Sequence, residues 1–253
     1  MTPSGEVPVS EELCSPSVQP PIPKIFHQIW IDFGKGIKEP TQDYQKMTDR
    51  LVKMYPDWNY TLWHEDEIVE LIKEHVPFFL ATFQSYDVPI KKHDSARSVI
   101  LYAKGGVYLD HDFVVLKRIE PALGMCKFFT SSEQSGATKF RTTTGIIGSV
   151  AKHPFLLFYL HLISKPEISS QIVLWATGPS RLDVAVKTYI NEQAPNVNRF
   201  KIYHPKFFNP FTWLDAAEGI KNKTVAEIRK MLPDSIFVHV FTTKWFDQYG
   251  WQN

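Results

Sequence analysis

The sequence has only two cysteines, Cys14 in a polar stretch and Cys126 far from it. That is too few for a disulfide framework, and the spacing does not suggest zinc. No apolar run reaches about 18 residues, so no transmembrane helix can be argued. The N-terminus lacks the basic and apolar regions of a secretory signal. Net charge is nearly absent, +1 from 28 Lys and Arg against 27 Asp and Glu, so nothing points to nucleic acid. There is no internal repeat. These absences predict cytoplasmic residence.

What is present fits one domain: 253 residues, enough to bury a sizeable core, with 43% hydrophobic and 22% charged residues. Residues 1–21 are rich in Pro, Ser, Glu and Val without apolar period and read as a disordered tail. Residues 22–253 read as a single α/β domain, a mostly parallel twisted sheet flanked by helices.

The chain is organised around Lys92 to Val115, KHDSARSVILYAKGGVYLDHDFVV. Pro89 suits a first helical turn. Val99, Ile100 and Ala103 give the helix a face to bury, and Gly105-Gly106 can end it. Val107 to Leu109 then reads as a short strand, which places Asp110 and Asp112 at a strand's carboxyl end, where open α/β sheets bind ligands. Residues i and i+2 of an extended segment point the same way, and His111 points elsewhere. Two carboxylates converging on one spot need a cation or a proton between them. Oxygen ligands suit Mg²⁺ or Mn²⁺, which also take substrate phosphates. Bare acid-x-acid triplets are mostly solvated turns; the apolar strand after a Gly-Gly break separates this one from them. Asp94 and Arg97 share a helix face at i, i+3. They read either as a surface ion pair of little worth or as a carboxylate and guanidinium gripping vicinal sugar hydroxyls.

The run Asp94-x-x-Arg97, Leu101-Tyr102, Gly105-Gly106-x-Tyr108-x-Asp110-x-Asp112 resembles the signature of glycosyltransferases with a DXD sugar-binding region. The resemblance extends in outline from about Ile22 to Trp245. It implies a GT-A-type domain and a metal-dependent, retaining transfer of a hexose from a UDP- or GDP-linked sugar to a glycan or glycolipid hydroxyl. Asp94, Arg97, Asp110 and Asp112 would carry the chemistry, with Mn²⁺ or Mg²⁺ on the two DXD acids. Asp112 would be the direct ligand, and Asp110 would reach the ion through water or bind ribose or sugar hydroxyls. His27, Gln28, Ile29 and Trp30 would line the base, with Trp30 stacking on it; without the resemblance, Trp30 reads as a core tryptophan. A C-terminal histidine completes the metal site in several transferases of this architecture. His239 falls there, followed by Lys244 and Trp245, which could meet the diphosphate. Relatives in the Golgi carry a membrane anchor, so the Golgi lumen is the alternative location if the chain is part of a longer protein.

In chain order, Lys24–Ile31 and Asn59–Trp63 read as strands, with a helix through Tyr44, Met47, Leu51 and Met54 between them. The acids of His64-Glu65-Asp66-Glu67 read as the first turn of a helix, not as catalytic groups. Phe113 to Leu116 continues as strand, and the polar, small-residue run Glu133–Thr144 reads as a loop bordering the acceptor. Phe155–Ile163 is an apolar helix for the core, with interfacial membrane contact the lesser alternative. Thr177-Gly178-Pro179-Ser180 opens a further helix and resembles a block near the family's acceptor side. Ile236–Val240 is the last strand. Two rival functions stay open: an Asp-based phosphatase or phosphotransferase, which leaves Asp94 and Arg97 without a role, and a sugar-nucleotide binder without turnover.

Overall fold

A six-stranded sheet in the order β2-β1-β3-β6-β5-β7 runs through the protein, and a two-stranded ribbon, β4-β8, stands beside it. These features come from a computed structural model that describes residues 9–15, 21–32, 36–134, 139–192, 200–212, 215, 220 and 223–241. The strands are β1 Ile25–Ile29, β2 Asn59–Trp63, β3 Gly106–Leu109, β4 Phe113–Val115, β5 Phe128–Gln134, β6 Phe140–Ser149, β7 Phe200–Tyr203 and β8 Phe237–His239. Three of the five junctions in the large sheet are parallel, β1 with β2, β1 with β3 and β5 with β7; β6 runs antiparallel to both its neighbours.

The principal helices among the described residues are α1 Gln42–Met54, α2 Glu65–His75, α3 Leu80–Ser85, α4 Pro89–Lys104, α5 Glu120–Leu123 and α6 Pro154–Ile163. They continue with α7 Pro166–Ser169, α8 Val173–Ala176, α9 Pro179–Glu192, α10 Pro205–Phe208 and α11 Val225–Met231. The acids ahead of α2 cap it as expected: Glu67 accepts the His64 backbone N–H at 2.9 Å.

Apolar side chains collect on both faces of the sheet. One cluster joins α2, α3, α4, α6 and α9; the other lies under α1, α5, α10 and the ribbon. Helix α4 is the innermost element, with every residue from Asp94 to Leu101 buried. A helix enclosed in this way can hold charges only where they find partners, which is why its Asp and Arg are informative. It ends at Gly105-Gly106, both at positive φ (67° and 98°). At Gly106 a side chain is also sterically excluded, because a Cβ would lie 2.7 Å from the Ile25 carbonyl and 2.8 Å from the His27 ring. Among the described residues no helix is long and apolar enough to cross a membrane. Apolar α6 is a core helix, burying Phe155, Leu156, Tyr159, Leu160 and Ile163.

Four expectations are corrected. Cys14 and Cys126, 112 residues apart, form a disulfide. Residues 9–15 are accordingly not a loose tail. Ser10 pairs in parallel with Tyr203 on the outer edge of β7, donating its N–H to Ile202 at 2.7 Å and accepting from His204 at 2.9 Å. The Tyr203 hydroxyl accepts the Cys14 N–H at 3.3 Å and donates to Ala122 at 2.6 Å. This strap covers backbone groups that an edge strand would otherwise expose. Next, the run read as a loop over 133–144 belongs largely to the β5-β6 hairpin. Buried hydroxyls of β5 bond to strand carbonyls beside it: Thr130 Oγ1 donates to Thr143 at 2.8 Å, and Ser132 Oγ donates to Tyr203 at 2.9 Å. Finally, β4 does not prolong β3 but turns off to pair with β8.

A disulfide closing a loop of this length removes about 4–5 kcal/mol of chain entropy from the unfolded state, and measured gains are typically about 2–4 kcal/mol. Reductant is therefore expected to lower the unfolding free energy by about 2–4 kcal/mol in denaturant titrations. The double variant Cys14→Ser/Cys126→Ser should start at the lowered value and ignore reductant.

Candidate active site

Strands β3, β4, β6 and β8 meet at one point. Asp110 follows β3 and takes the Gly145 carbonyl of β6 on its own N–H at 2.9 Å. Asp112 leads into β4, where Phe113 lies opposite His239 of β8, and the Asp112 carbonyl accepts the Val240 N–H at 2.9 Å. Asp110, Asp112 and His239 each offer a ligand atom, and these atoms lie within 4.8 Å of one another. Gly145 completes the hollow: a Cβ there would stand 3.0 Å from Asp110 Oδ2 and 3.3 Å from the His239 ring.

The His239 ring is stacked on Phe113 at 4.4 Å and covered by Phe241 at 3.8 Å. Its Nε2 donates to Asp112 Oδ1 at 3.0 Å. Burial alone would lower its pKa, but the carboxylates of Asp112, Asp110 and Glu133 together raise it. Nδ1 of this ring is buried and has no hydrogen-bond partner among the described residues. Two carboxylates and an imidazole around a space that a methyl group would fill form an oxygen-and-nitrogen donor set that fits a small divalent cation.

Behind this hollow lies a buried ion network. Arg97 Nη1 donates to Asp94 Oδ1 at 2.5 Å, and Nη2 donates to Asp110 Oδ1 at 3.0 Å. The Tyr108 hydroxyl donates to the same Asp110 oxygen at 2.5 Å, and the guanidinium lies 5.0 Å from the Tyr108 ring centre. Thr177 Oγ1 donates to Asp94 Oδ2 at 3.2 Å, and Tyr159 holds the Thr177 carbonyl at 2.7 Å. Asp94 is 6% exposed and Arg97 4%. Burial pushes the Asp94 carboxyl up to about 6, against the pull of Arg97. The neighbouring Asp110 carboxylate helps to hold Arg97 charged in spite of its burial.

Asp94 and Arg97 are therefore not a surface pair. Nor do they stand as an open clamp, because both terminal nitrogens of Arg97 are on protein carboxylates. Arg97 is a strut that fixes Asp110 from behind. Tyr108 was visible in the sequence as the residue two before Asp110 on the same strand face. Thr177 was expected at a helix opening and near the acceptor side; its contact with Asp94, 83 positions away, comes from the fold.

Of the residues expected to line the base, strand alternation sends His27 and Ile29 to the core and leaves Gln28 and Trp30 on the opposite face. Ile29 is fully buried. His27 accepts from Trp63 Nε1 at 3.1 Å and donates to the Gly105 carbonyl at 2.8 Å; burial lowers its pKa to about 4. The Gln28 amide oxygen accepts from Thr48 at 2.7 Å and Tyr60 at 2.9 Å. Trp30 is half-buried and donates from Nε1 to Ile37 at 2.8 Å. Its ring meets Tyr44 at 6.3 Å and His111 at 5.9 Å. The imidazoles of His93 and His111 both donate to the Ile29 carbonyl, at 3.0 and 3.1 Å. Tyr44 and His111 were thus missed as neighbours of Trp30. Lys244 and Trp245 lie outside the described residues.

Residues 41–129 match the family model described as the glycosyltransferase sugar-binding region containing DXD motif. This chain carries that DXD region. It is 29% identical over 207 residues to mannosyl phosphorylinositol ceramide synthase SUR1 of Saccharomyces cerevisiae, covering 79% of this chain and 52% of that protein. It is 31% identical over 160 residues to inositol phosphoceramide mannosyltransferase 1 of Schizosaccharomyces pombe, covering 62% of this chain and 47% of that protein. The chain spans about half the length of these curated relatives. Among solved structures, PaToxG glycosyltransferase superposes with a TM-score of 0.51 at 18% identity, over 70% of this chain and 71% of that one. The shared architecture is of GT-A type, as the sequence reading expected.

Arg97→Ala would leave Asp94 and Asp110 facing each other without their cation. It is expected to cost about 3–5 kcal/mol in denaturant titrations, far above the roughly 1 kcal/mol of a surface pair. Thr177→Val, which removes one hydrogen bond to Asp94, should cost about 1–3 kcal/mol.

Proposed function

We propose that this chain is a metal-dependent glycosyltransferase that moves a hexose from a nucleotide-diphosphate sugar to a lipid-linked hydroxyl, with retention at the anomeric carbon. The observation that carries the reading is the convergence, within 4.8 Å, of His239 on Asp110 and Asp112, the two acids of the matched DXD region. The names of the two yeasts' proteins support mannose as the sugar and an inositol phosphoceramide as the acceptor.

In this reading Asp110, Asp112 and His239 hold the divalent ion, Mn²⁺ or Mg²⁺, which when bound neutralises the charge of the departing nucleoside diphosphate. The rest of the work belongs to the protein. Arg97 and Tyr108 hold one oxygen of Asp110 and so fix the direction of the other, and preorganisation of this kind spares reorganisation when charge develops. Trp30, with Tyr44 and His111 at its edges, offers a half-buried ring to the donor base. The Cys14–Cys126 disulfide favours residence in an oxidising compartment, such as the Golgi lumen, over the cytoplasm.

The test is a panel of UDP- and GDP-linked hexoses with inositol phosphoceramide and Mn²⁺, scored both for glycolipid product and for released nucleoside diphosphate. Glycolipid product supports the reading; inorganic phosphate release or no turnover overturns it. Asp112→Asn is expected to lower turnover at least about a hundredfold, or about 2.7 kcal/mol of barrier. Near-normal activity of that variant with Mn²⁺ would remove the metal assignment. Trp30→Ala should weaken binding of the free nucleoside diphosphate by about 1–3 kcal/mol, measured by titration calorimetry.

A further inference from the structure

A groove of about 360 Å³ opens between α1, β4 and α11, and it shares Phe113 with the His239 stack. Its floor is apolar, made by Met47, Phe113, Val114 and Val225. Its rim is cationic. Arg50 lines it, and Arg229 lies one helical turn beyond Val225 on the same face of α11. Both guanidiniums are tethered to consecutive carbonyls of the segment that β4 begins. Arg50 Nε donates to Val115 at 3.2 Å, and Arg229 Nη2 donates to Leu116 at 2.5 Å. Neither has a carboxylate partner among the described residues. Asp43, the carboxylate among the lining residues, lies 3.7 Å from Lys46, which also lines the groove.

Two like charges held side by side repel, and each loses hydration as it packs. Partial burial, and then the Arg229 charge, hold the Arg50 pKa below its ordinary value. Planar guanidiniums with unused N–H groups match the oxygens of a phosphate, which would relieve the repulsion. A bare anion would leave the apolar floor wet, whereas a phosphate attached to a hydrocarbon chain satisfies both parts of the groove. Tyr44 joins this groove to the wall around Trp30, so a test has to separate it from the donor site.

We propose that the groove binds the phosphate headgroup of an anionic membrane lipid, with Arg50 and Arg229 on the phosphate and the start of the chain over Met47, Val114 and Val225. The experiment is calorimetric titration of the protein with dihexanoyl phosphatidylinositol below its micelle concentration, against dihexanoyl phosphatidylcholine and inorganic phosphate. Phosphatidylinositol is expected to bind at least about tenfold more tightly than either control. Arg50→Gln and Arg229→Gln should each weaken it at least about tenfold. Val225→Asp places a carboxylate one turn from Arg229, at the start of a helix where an acid is favourable, so the fold should hold while lipid binding falls. The proposal fails if phosphatidylcholine binds equally, if inorganic phosphate alone binds as tightly, or if Val225→Asp changes nothing. It also fails if UDP or GDP competes with the lipid, because the groove would then belong to the donor site.

Discussion

The bond between Arg97 and Asp110 is the constraint on which the arrangement of the site depends. A guanidinium 4% exposed inside a helix that is buried on nearly every side cannot be solvated, so it must be answered by carboxylates. Asp94 answers from its own helix and Asp110 from the end of β3. That second bond fixes where α4 stands along the sheet, because sliding the helix by one turn would strand a charge. The same bond holds one oxygen of Asp110 in place, so packing of the core and aim of the DXD acid are one geometric fact.

The elements that could be read from the residues were those whose side chains follow a period. The order β1, α1, β2, α2 and α4 through β3 is carried by apolar spacing, Pro at a helix start and the Gly-Gly break, all local signals. The acids came out at a strand end for the same reason. What escaped was set by contacts far apart in the chain. Residues 133–144 looked like a loop because small polar residues were taken as solvent-facing, whereas Thr142, Thr143 and Thr144 are buried in β6. Two cysteines 112 residues apart carry no geometric information until Tyr203 and β7 bring the strap to Cys126. The Asp94-Arg97 spacing showed a shared helix face correctly but not that the face points inward.

The aromatic end of the site shows the limits of period-two reasoning in another way. Alternation along β1 separates Trp30 from Ile29 correctly, yet the partners of Trp30 come from α1 and from the residue between the two DXD acids. His111 and Asp112 form a turn, not the extended triplet expected, and the His111 imidazole shares the Ile29 carbonyl with His93. One backbone oxygen thus links the end of β1, helix α4 and the DXD turn. Displacement of any one of the three disturbs the other two.

The β4-β8 ribbon has a consequence in time as well as in space. Asp112 and His239 are separated by 127 positions, and His239 belongs to the last described strand. A chain growing from its N-terminus has every strand of the large sheet by residue 203 and both acids well before that, but it has no imidazole beside them. Contacts of such long separation close late, because the entropy of the intervening loop must be overcome first. The three-residue group is therefore completed only after the sheet, and a growing chain can have built its sheet while its two acids still lack the imidazole.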